Sequence, residues 1–239
     1  MIQNADEVIK RASAASVDRI VNICTDRASL EAGWELAKRH AGVWNAGATT
    51  PHDVEKEGEE LFPLFEKHAR QGDFVAIGET GLDYHYDHSP RELQQEFLRR
   101  YFALATSCKL PIIIHCRDAF ADFFRILDEC YSGTGILHCF TGSAEEALEV
   151  IARGWFVSFS GIVTFTRSDA LRDALRKVPL DQLLIETDTP YLAPQSRRGQ
   201  QNEPTYLPEI ARVIAQVKDV SIEAIAQATY EKAKRAFFR

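Results

Sequence analysis

The sequence lacks several features that would place the protein in a specialised class. It has no apolar run near the roughly 20 residues of a membrane-spanning helix, and its first residues lack the basic and apolar blocks of a secretory signal. Its five cysteines are odd in number and none of them form a CxxC pair, which argues against a disulfide framework. We therefore expect a cytoplasmic protein with free thiols and no membrane association.

An excess of positive charge is also missing. The chain carries 28 Lys and Arg residues against 35 Asp and Glu residues, a net charge of −7. Because contacts with phosphates need Lys or Arg, this balance argues against a broad surface for nucleic acid. It still allows a small site in which a few basic residues or a metal ion would neutralise the charge of a phosphate.

What the sequence contains is a regular alternation of short apolar runs with amphipathic stretches. The runs typical of strands are RIVNICT, VWNAGAT, FVAIGETGLD, PIIIHC, GILHCF, WFVSFSG and LLIETD. Several are apolar on both faces, as in a parallel sheet covered by helices. Between them, Ser89 and Ser143 are predicted to cap helices. No linker or break in composition divides the 239 residues, so we expect one domain over residues 1–239.

Two α/β architectures fit this order, an open doubly wound sheet and a closed (β/α)8 barrel. No Gly-rich turn follows the first strand, as a dinucleotide-binding fold would require. Ionisable residues instead follow four different strands, as at the mouth of a barrel: Glu79, His115, His138 and Asp188. Seven strands are predicted rather than eight, so we expect a TIM barrel without its first strand.

These four residues are ligand types that hold a divalent cation beside water. The alternative is that each is a buried, hydrogen-bonded polar group. Burying such a group unpaired costs roughly 2–7 kcal/mol, so four at strand ends favour a shared explanation. Such a mixture of ligands accepts Mg, Mn or Zn. By contrast, Cys116 and Cys139 are expected to pack as small apolar groups, and His68 is expected to be exposed on a helix.

Four segments resemble motifs of the TatD family of metal-dependent hydrolases. They are GETGLDYHYDHSPRELQQEFLRRYFALA, LPIIIHCRDA, HCFTGS and LLIETDTPYLAP, and RGQQNEP follows the last. The resemblance extends from about residue 5 onward. It implies an amidohydrolase-like (β/α)8 barrel with one or two divalent ions, and a deoxyribonuclease that trims single-stranded DNA from 3′ to 5′.

Carried over by position, the resemblance also implies roles for individual residues. Glu79 would be a carboxylate that bridges the metal ions, and His115 and His138 would bind one of them. Asp188 would bind the other ion and act as general base toward the attacking water.

Contacts with the substrate are predicted near the same strand ends. Arg117 would either neutralise a phosphate or pair with Asp118. Arg198 would either neutralise a phosphate or belong to a basic loop without a role in binding. Tyr84 and Tyr86 are candidates for stacking on bases.

The sequence departs from the family pattern in three places. It contains no HxH pair, which the family places at the end of its first strand, and Thr50 and Gln200 replace a histidine and a basic residue. We expect either a chain that begins at an internal Met or a natural variant that has lost one metal half-site. In both cases weaker metal binding and slower turnover are predicted.

Two other functions remain open at this point. The same site would serve ester or amide hydrolysis, such as removal of an aminoacyl group from RNA, or the cleavage of a smaller phosphate ester. The other possibility is a non-catalytic barrel that has lost part of its metal site. A monomer is expected.

Overall fold

The structure is a computed structural model that describes residues 4–238. All seven predicted strands are present in that range. They are β1 (Ile20–Cys24), β2 (Val43–Gly47), β3 (Ala76–Asp83), β4 (Ile112–Arg117), β5 (Gly135–Leu137), β6 (Phe156–Phe159) and β7 (Leu183–Ile185).

One helix precedes the first strand, and others fill the intervals between the strands and follow the last of them. The α-helices of the described residues are α1 (Ala5–Ala14), α2 (Arg27–Arg39), α3 (Val54–Gln71), α4 (Arg91–Cys108), α5 (Phe120–Cys130), α6 (Ala144–Ala152), α7 (Asp169–Lys177), α8 (Leu207–Lys218) and α9 (Ile222–Phe237). Short 3-10 helices cover Gly161–Thr164, Gln195–Arg197 and Pro204–Tyr206. Among residues 4–238, no helix combines the length and the apolar character needed to cross a membrane.

The chain divides into two compact units. The first spans residues 19–136. In it β1, β2, β3 and β4 pair in parallel in the order of the sequence. Its core contains fully buried aromatic side chains, namely Phe65, Phe97, Tyr101, Phe102 and Phe123. The hydroxyl of Tyr101 accepts a hydrogen bond from the backbone N–H of buried Thr49 at 2.9 Å.

The second unit combines the chain up to Asp18 with the chain from Leu137 onward. Its strands β6 and β7 are parallel, with Val157 opposite Leu183. Arg11 of α1 donates two hydrogen bonds to Glu203, at 2.8 and 2.7 Å, and so holds the first helix against this unit. A single domain over residues 1–239 stays a prediction.

The two predicted helix caps have different outcomes. Ser143 accepts from the backbone N–H of Glu146 and forms the expected capping box. The prediction for Ser89 is wrong, because α4 begins at Arg91 without a side-chain cap. The Ser89 hydroxyl instead accepts from the N–H of Glu55, in the first turn of α3, and donates to the carbonyl of His52 at 2.8 Å. It therefore joins the loops that follow two neighbouring strands.

The side chain of His68 also differs from the prediction. Only 5% of the residue is exposed, its Nδ1 lies 2.8 Å from Asp73, and its ring packs edge-on against Trp34 at a centroid distance of 4.8 Å. The aspartate satisfies a ring nitrogen that would otherwise be buried without a partner. The predicted free thiols are confirmed for all five cysteines.

Candidate functional site

In the first unit, His115 of β4 lies between two carboxylates of β3. Its Nδ1 is 3.2 Å from Oε1 of Glu79, and its Nε2 is 2.8 Å from Oδ2 of Asp83. The strand register produces this arrangement, because His115 pairs with Gly81, and the two acidic residues lie two positions before and after that glycine. The structure thus brings together Glu79 and His115, and it adds Asp83, which the sequence reasoning did not select.

Gly81 allows this close pairing. Its φ of +148° is a conformation that side-chain-bearing residues rarely adopt, and a Cβ at this position would collide with the carbonyl oxygen of His115. A glycine between the two acidic residues therefore lets β3 approach β4 where the imidazole has to reach both carboxylates.

Asp83 is fully buried and extensively hydrogen-bonded. Its Oδ1 accepts from the backbone N–H groups of His85 and Tyr86, at 3.0 and 2.8 Å. Burial alone would raise the pKa of this carboxyl, but the hydrogen bonds from His115 and from the Tyr86 N–H outweigh burial and lower the pKa to about 2. Asp83 is therefore ionised at neutral pH.

An ionised Asp83 determines what His115 offers on its other side. A neutral imidazole that donates from Nε2 to a carboxylate carries a lone pair at Nδ1. In that tautomer the lone pair would face the Glu79 carboxylate, whose Oε1 is 3.2 Å from Nδ1, and a cation between the two groups would stabilise the arrangement. Carboxylates that hold the outer nitrogen of a metal-binding histidine have this geometry.

His52 extends this cluster from the loop between β2 and α3. Its Nε2 lies 3.7 Å from Oδ2 of Asp83, and ligand atoms of His52, Asp83 and His115 lie within 4.8 Å of one another. Burial and the neighbouring His115 lower the pKa of His52, which favours the neutral ring. Its Nδ1 is buried without a hydrogen-bond partner among the described residues. A buried ring nitrogen without a partner is one that a ligand from outside the chain would satisfy.

A second set of ligand-type residues lies in the other unit. His138 follows β5, and Glu186 and Asp188 follow β7. Their ligand atoms lie within 4.8 Å of one another, and Nδ1 of His138 is 3.2 Å from Oε1 of Glu186. The N–H of Glu186 donates to the carbonyl of Phe159, which continues the pairing of β7 with β6 and positions the carboxylate.

The structure thus places His138 beside Asp188, and Glu186 is a third member that the sequence reasoning missed. A detectable signal was present in LLIETD, since two carboxylates separated by one residue at a strand end project to the same side.

Both sets fit a divalent cation on the chemistry of their donors. Each combines histidine nitrogen with carboxylate oxygen, the mixture that binds Zn, Mn and, where oxygen dominates, Mg. The cysteines nearby do not fit this role. Burial raises the pKa of Cys139, and the charges of Asp188 and Glu186 raise it further, so the thiol stays protonated.

The predicted substrate-binding residues occupy distinct surroundings. The hydroxyl of Tyr84 donates to Asp122 at 2.9 Å, and Arg91 covers its ring at 4.4 Å. The Arg117 guanidinium lies 4.9 Å from the centre of the Tyr86 ring. In the second unit, the Arg198 guanidinium lies 4.4 Å from the ring of Phe165. The roles predicted for Tyr84, Arg117 and Arg198 stay predictions.

Known proteins resemble the chain over nearly its whole length. The model of a family described as TatD related DNase matches residues 1–238. The uncharacterized metal-dependent hydrolase YabD of Bacillus subtilis strain 168 is 42% identical, over 97% of this chain and 92% of that protein. The 3′-5′ ssDNA/RNA exonuclease TatD of Cronobacter turicensis is 35% identical, over 98% of this chain and 92% of that protein.

A solved structure confirms the predicted fold class. The crystal structure of YJJV, a TatD homologue of Escherichia coli K12, matches with a TM-score of 0.88 and 26% identity, over 98% of this chain and 92% of that one. Together with the alternation of strands and helices, this likeness confirms the α/β, amidohydrolase-like TIM-barrel class.

Proposed function

This chain belongs to the TatD family of metal-dependent hydrolases, and from that premise we propose that it is a deoxyribonuclease that removes nucleotides from the 3′ end of single-stranded DNA. The observation that carries the proposal is His115, whose Nδ1 faces Glu79 while Asp83 holds its Nε2. The relative named as a 3′-5′ ssDNA/RNA exonuclease supports the choice of substrate.

We assign the metal ligands within each unit separately. Glu79 and His115 would hold a divalent cation in the first unit, and His52 lies on the Asp83 side of the same imidazole. His138 and Asp188 would do so in the second unit, with Glu186 beside them. When bound, such a cation lowers the pKa of water and neutralises charge on phosphate oxygens.

The chain's own residues supply the remaining steps. Asp188 would accept the proton of the attacking water at a carboxylate oxygen, since carboxylates at this position are suited to general base catalysis. Asp83 keeps His115 in one orientation and protonated at Nε2. Arg117 would place a positive charge beside the phosphate, which a chain of net charge −7 has to supply locally.

The test is a time course with a 5′-labelled single-stranded oligonucleotide after metal removal and addition of Mg²⁺, Mn²⁺ or Zn²⁺. We expect a metal-dependent ladder of products shortened from the 3′ end. His115→Ala should lose this activity, because it removes the nitrogen between the two carboxylates.

His40→Ala is the matched control, because His40 precedes β2 and lies at the opposite end of that strand from the loop carrying His52. It should retain full activity. If all three metals fail with DNA while aminoacyl esters are hydrolysed, the proposal is wrong and ester hydrolysis takes its place.

A further inference from the structure

The loop after β3 presents an aromatic ring to solvent beside the cluster of His52, Asp83 and His115. Tyr86 is 53% exposed, an unusual degree for a large aromatic side chain. Its ring centroid lies 5.8 Å from that of His52, whose own ring is 5.5 Å from that of His115. The exposed ring therefore adjoins the residues assigned to metal binding.

The surroundings of Tyr86 are those of a stacking surface. The His88 ring lies nearly parallel to it, at an interplanar angle of 29° and a centroid distance of 5.4 Å. The Arg117 guanidinium lies 4.9 Å from its centre. A half-exposed aromatic ring with a cation over it matches the two chemical features of a nucleotide, because the ring can contact a base and the cation can pair with a phosphate.

The backbone that carries this ring is held by Asp83. The N–H of Tyr86 donates to Oδ1 of Asp83 at 2.8 Å, while Oδ2 of the same carboxylate holds His115. One buried side chain therefore holds both the imidazole of His115 and the backbone at Tyr86. A backbone that is already ordered lowers the conformational entropy that the residue loses when it binds a ligand.

We propose that Tyr86, together with His88 and Arg117, forms a subsite on which a nucleobase of the substrate stacks, while Arg117 pairs with a phosphate of the same strand. The inference rests on the proposed function, because it identifies part of the surface that would hold single-stranded DNA. Since every base has a π-face, the subsite should not discriminate strongly among bases.

The test is fluorescence anisotropy with a labelled, hydrolysis-resistant phosphorothioate hexathymidylate and Mn²⁺. Tyr86→Ala should raise the dissociation constant about 10- to 100-fold, the usual effect of removing one base-stacking aromatic. Tyr86→Phe keeps the ring and should recover most of the affinity. Both variants keep the backbone N–H that bonds to Asp83, so unfolding temperatures close to that of the wild type should confirm an intact fold.

Two comparisons isolate stacking from other effects. On an abasic phosphorothioate strand of equal length, Tyr86→Ala should change the affinity less than about twofold, because no base remains to stack. Tyr230→Ala is the matched control, since Tyr230 is also exposed, at 42%, and also has a cation near its ring, Lys234 at 5.8 Å. It should leave binding unchanged. An equal loss on both strands would overturn the proposal.

Cleavage of an unmodified oligonucleotide, measured in parallel, separates this inference from the proposed function. If the wild type cleaves DNA and Tyr86→Ala binds and cleaves equally well, the stacking subsite is refuted and the nuclease function stands. If binding depends on Tyr86 but no cleavage occurs, the nuclease function is refuted alone. A wild type that neither binds nor cleaves refutes both.

Discussion

Replacing Asp83 with asparagine should weaken both the fold and the metal site. The side chain is fully buried and accepts three hydrogen bonds, from the N–H groups of His85 and Tyr86 and from Nε2 of His115. An asparagine oxygen can keep the first two bonds. Its amide nitrogen would then face His115, so the imidazole would have to accept at Nε2 and move its proton to Nδ1, opposite Glu79. The substitution would therefore place a proton where a cation should bind.

The loss of stability follows from the hydrogen bonds to Asp83 and from the pKa that these bonds lower. A hydrogen bond to a charged group contributes about 1.5–3 kcal/mol. The pKa of Asp83 falls from an ordinary 3.8 to about 2 in the folded protein, and a depression of roughly 2 units corresponds to about 2.5 kcal/mol of stability at pH 7. We expect Asp83→Asn to lower the free energy of unfolding by about 2–3 kcal/mol.

The assay is urea unfolding at pH 7 with EDTA present, followed by calorimetric titration with Mn²⁺. The affinity for Mn²⁺ should fall about 10- to 100-fold, the usual effect of losing such an outer carboxylate. Asp118→Asn is the matched control, because Asp118 also contacts a histidine, His85 at 3.0 Å, but its side chain is 65% exposed. It should change stability by less than about 1 kcal/mol. Wild-type affinity for Mn²⁺ in Asp83→Asn would refute the reasoning about His115.

The pH dependence provides a second check on the same carboxylate. Because the pKa of Asp83 is lower in the folded than in the unfolded chain, its contribution is complete above the unfolded value of 3.8 and is lost as the pH falls toward about 2. The stability difference between the wild type and Asp83→Asn should therefore narrow over that interval. A constant difference would mean that the charge of Asp83 is not its source.

Three further predictions concern the strand pairing, the core and the cation. Gly81→Ala should lower the free energy of unfolding in urea by more than about 1 kcal/mol, because the new Cβ would collide with the carbonyl of His115. Gly72→Ala is the control, since Gly72 has a φ of +81° but no atom within 4 Å of a Cβ, and it should cost only about 1 kcal/mol. Tyr101→Phe should cost about 1–3 kcal/mol, since the N–H of Thr49 loses its buried acceptor; an unchanged midpoint would contradict this. Mn²⁺ at 100 times its dissociation constant should stabilise the wild type by about 2.7 kcal/mol, and an equal effect on His115→Ala would contradict the assigned ligand.

The strands and some helix ends were predictable because their causes are local. Alternating and continuous apolar runs identified all seven strands of the described residues, and the spacing of Ser143 and Glu146 identified a helix start. The prediction of a helix cap fails where the side chain bonds to a residue that is distant in the sequence. Ser89 bonds to Glu55, 34 positions away, and so leaves α4 uncapped.

The candidate site shows the same division. Glu79, His115, His138 and Asp188 could be selected because each follows an apolar run. The prediction that all four follow their strands is wrong for two of them, since Glu79 lies inside β3 and His115 inside β4. His52 could not be selected in this way, because it lies in the loop after β2 and does not directly follow an apolar run. Its distance from Asp83 depends on the path of that loop. Its contact with Asp83, at 3.7 Å, is a property of the fold.

Asp83 connects the two functions that the site would need. One carboxylate oxygen orients His115 toward Glu79, and the other holds the backbone of the loop that carries Tyr86. A shift of this buried side chain would therefore move the His115 nitrogen proposed to bind the metal and the backbone that carries Tyr86 together. Because a fully buried charge is costly unless it is compensated by hydrogen bonds, the three bonds that hold Asp83 also oppose such a shift. The same interactions that keep this charge stable in the interior would thus maintain the geometry between the proposed cation and a bound strand.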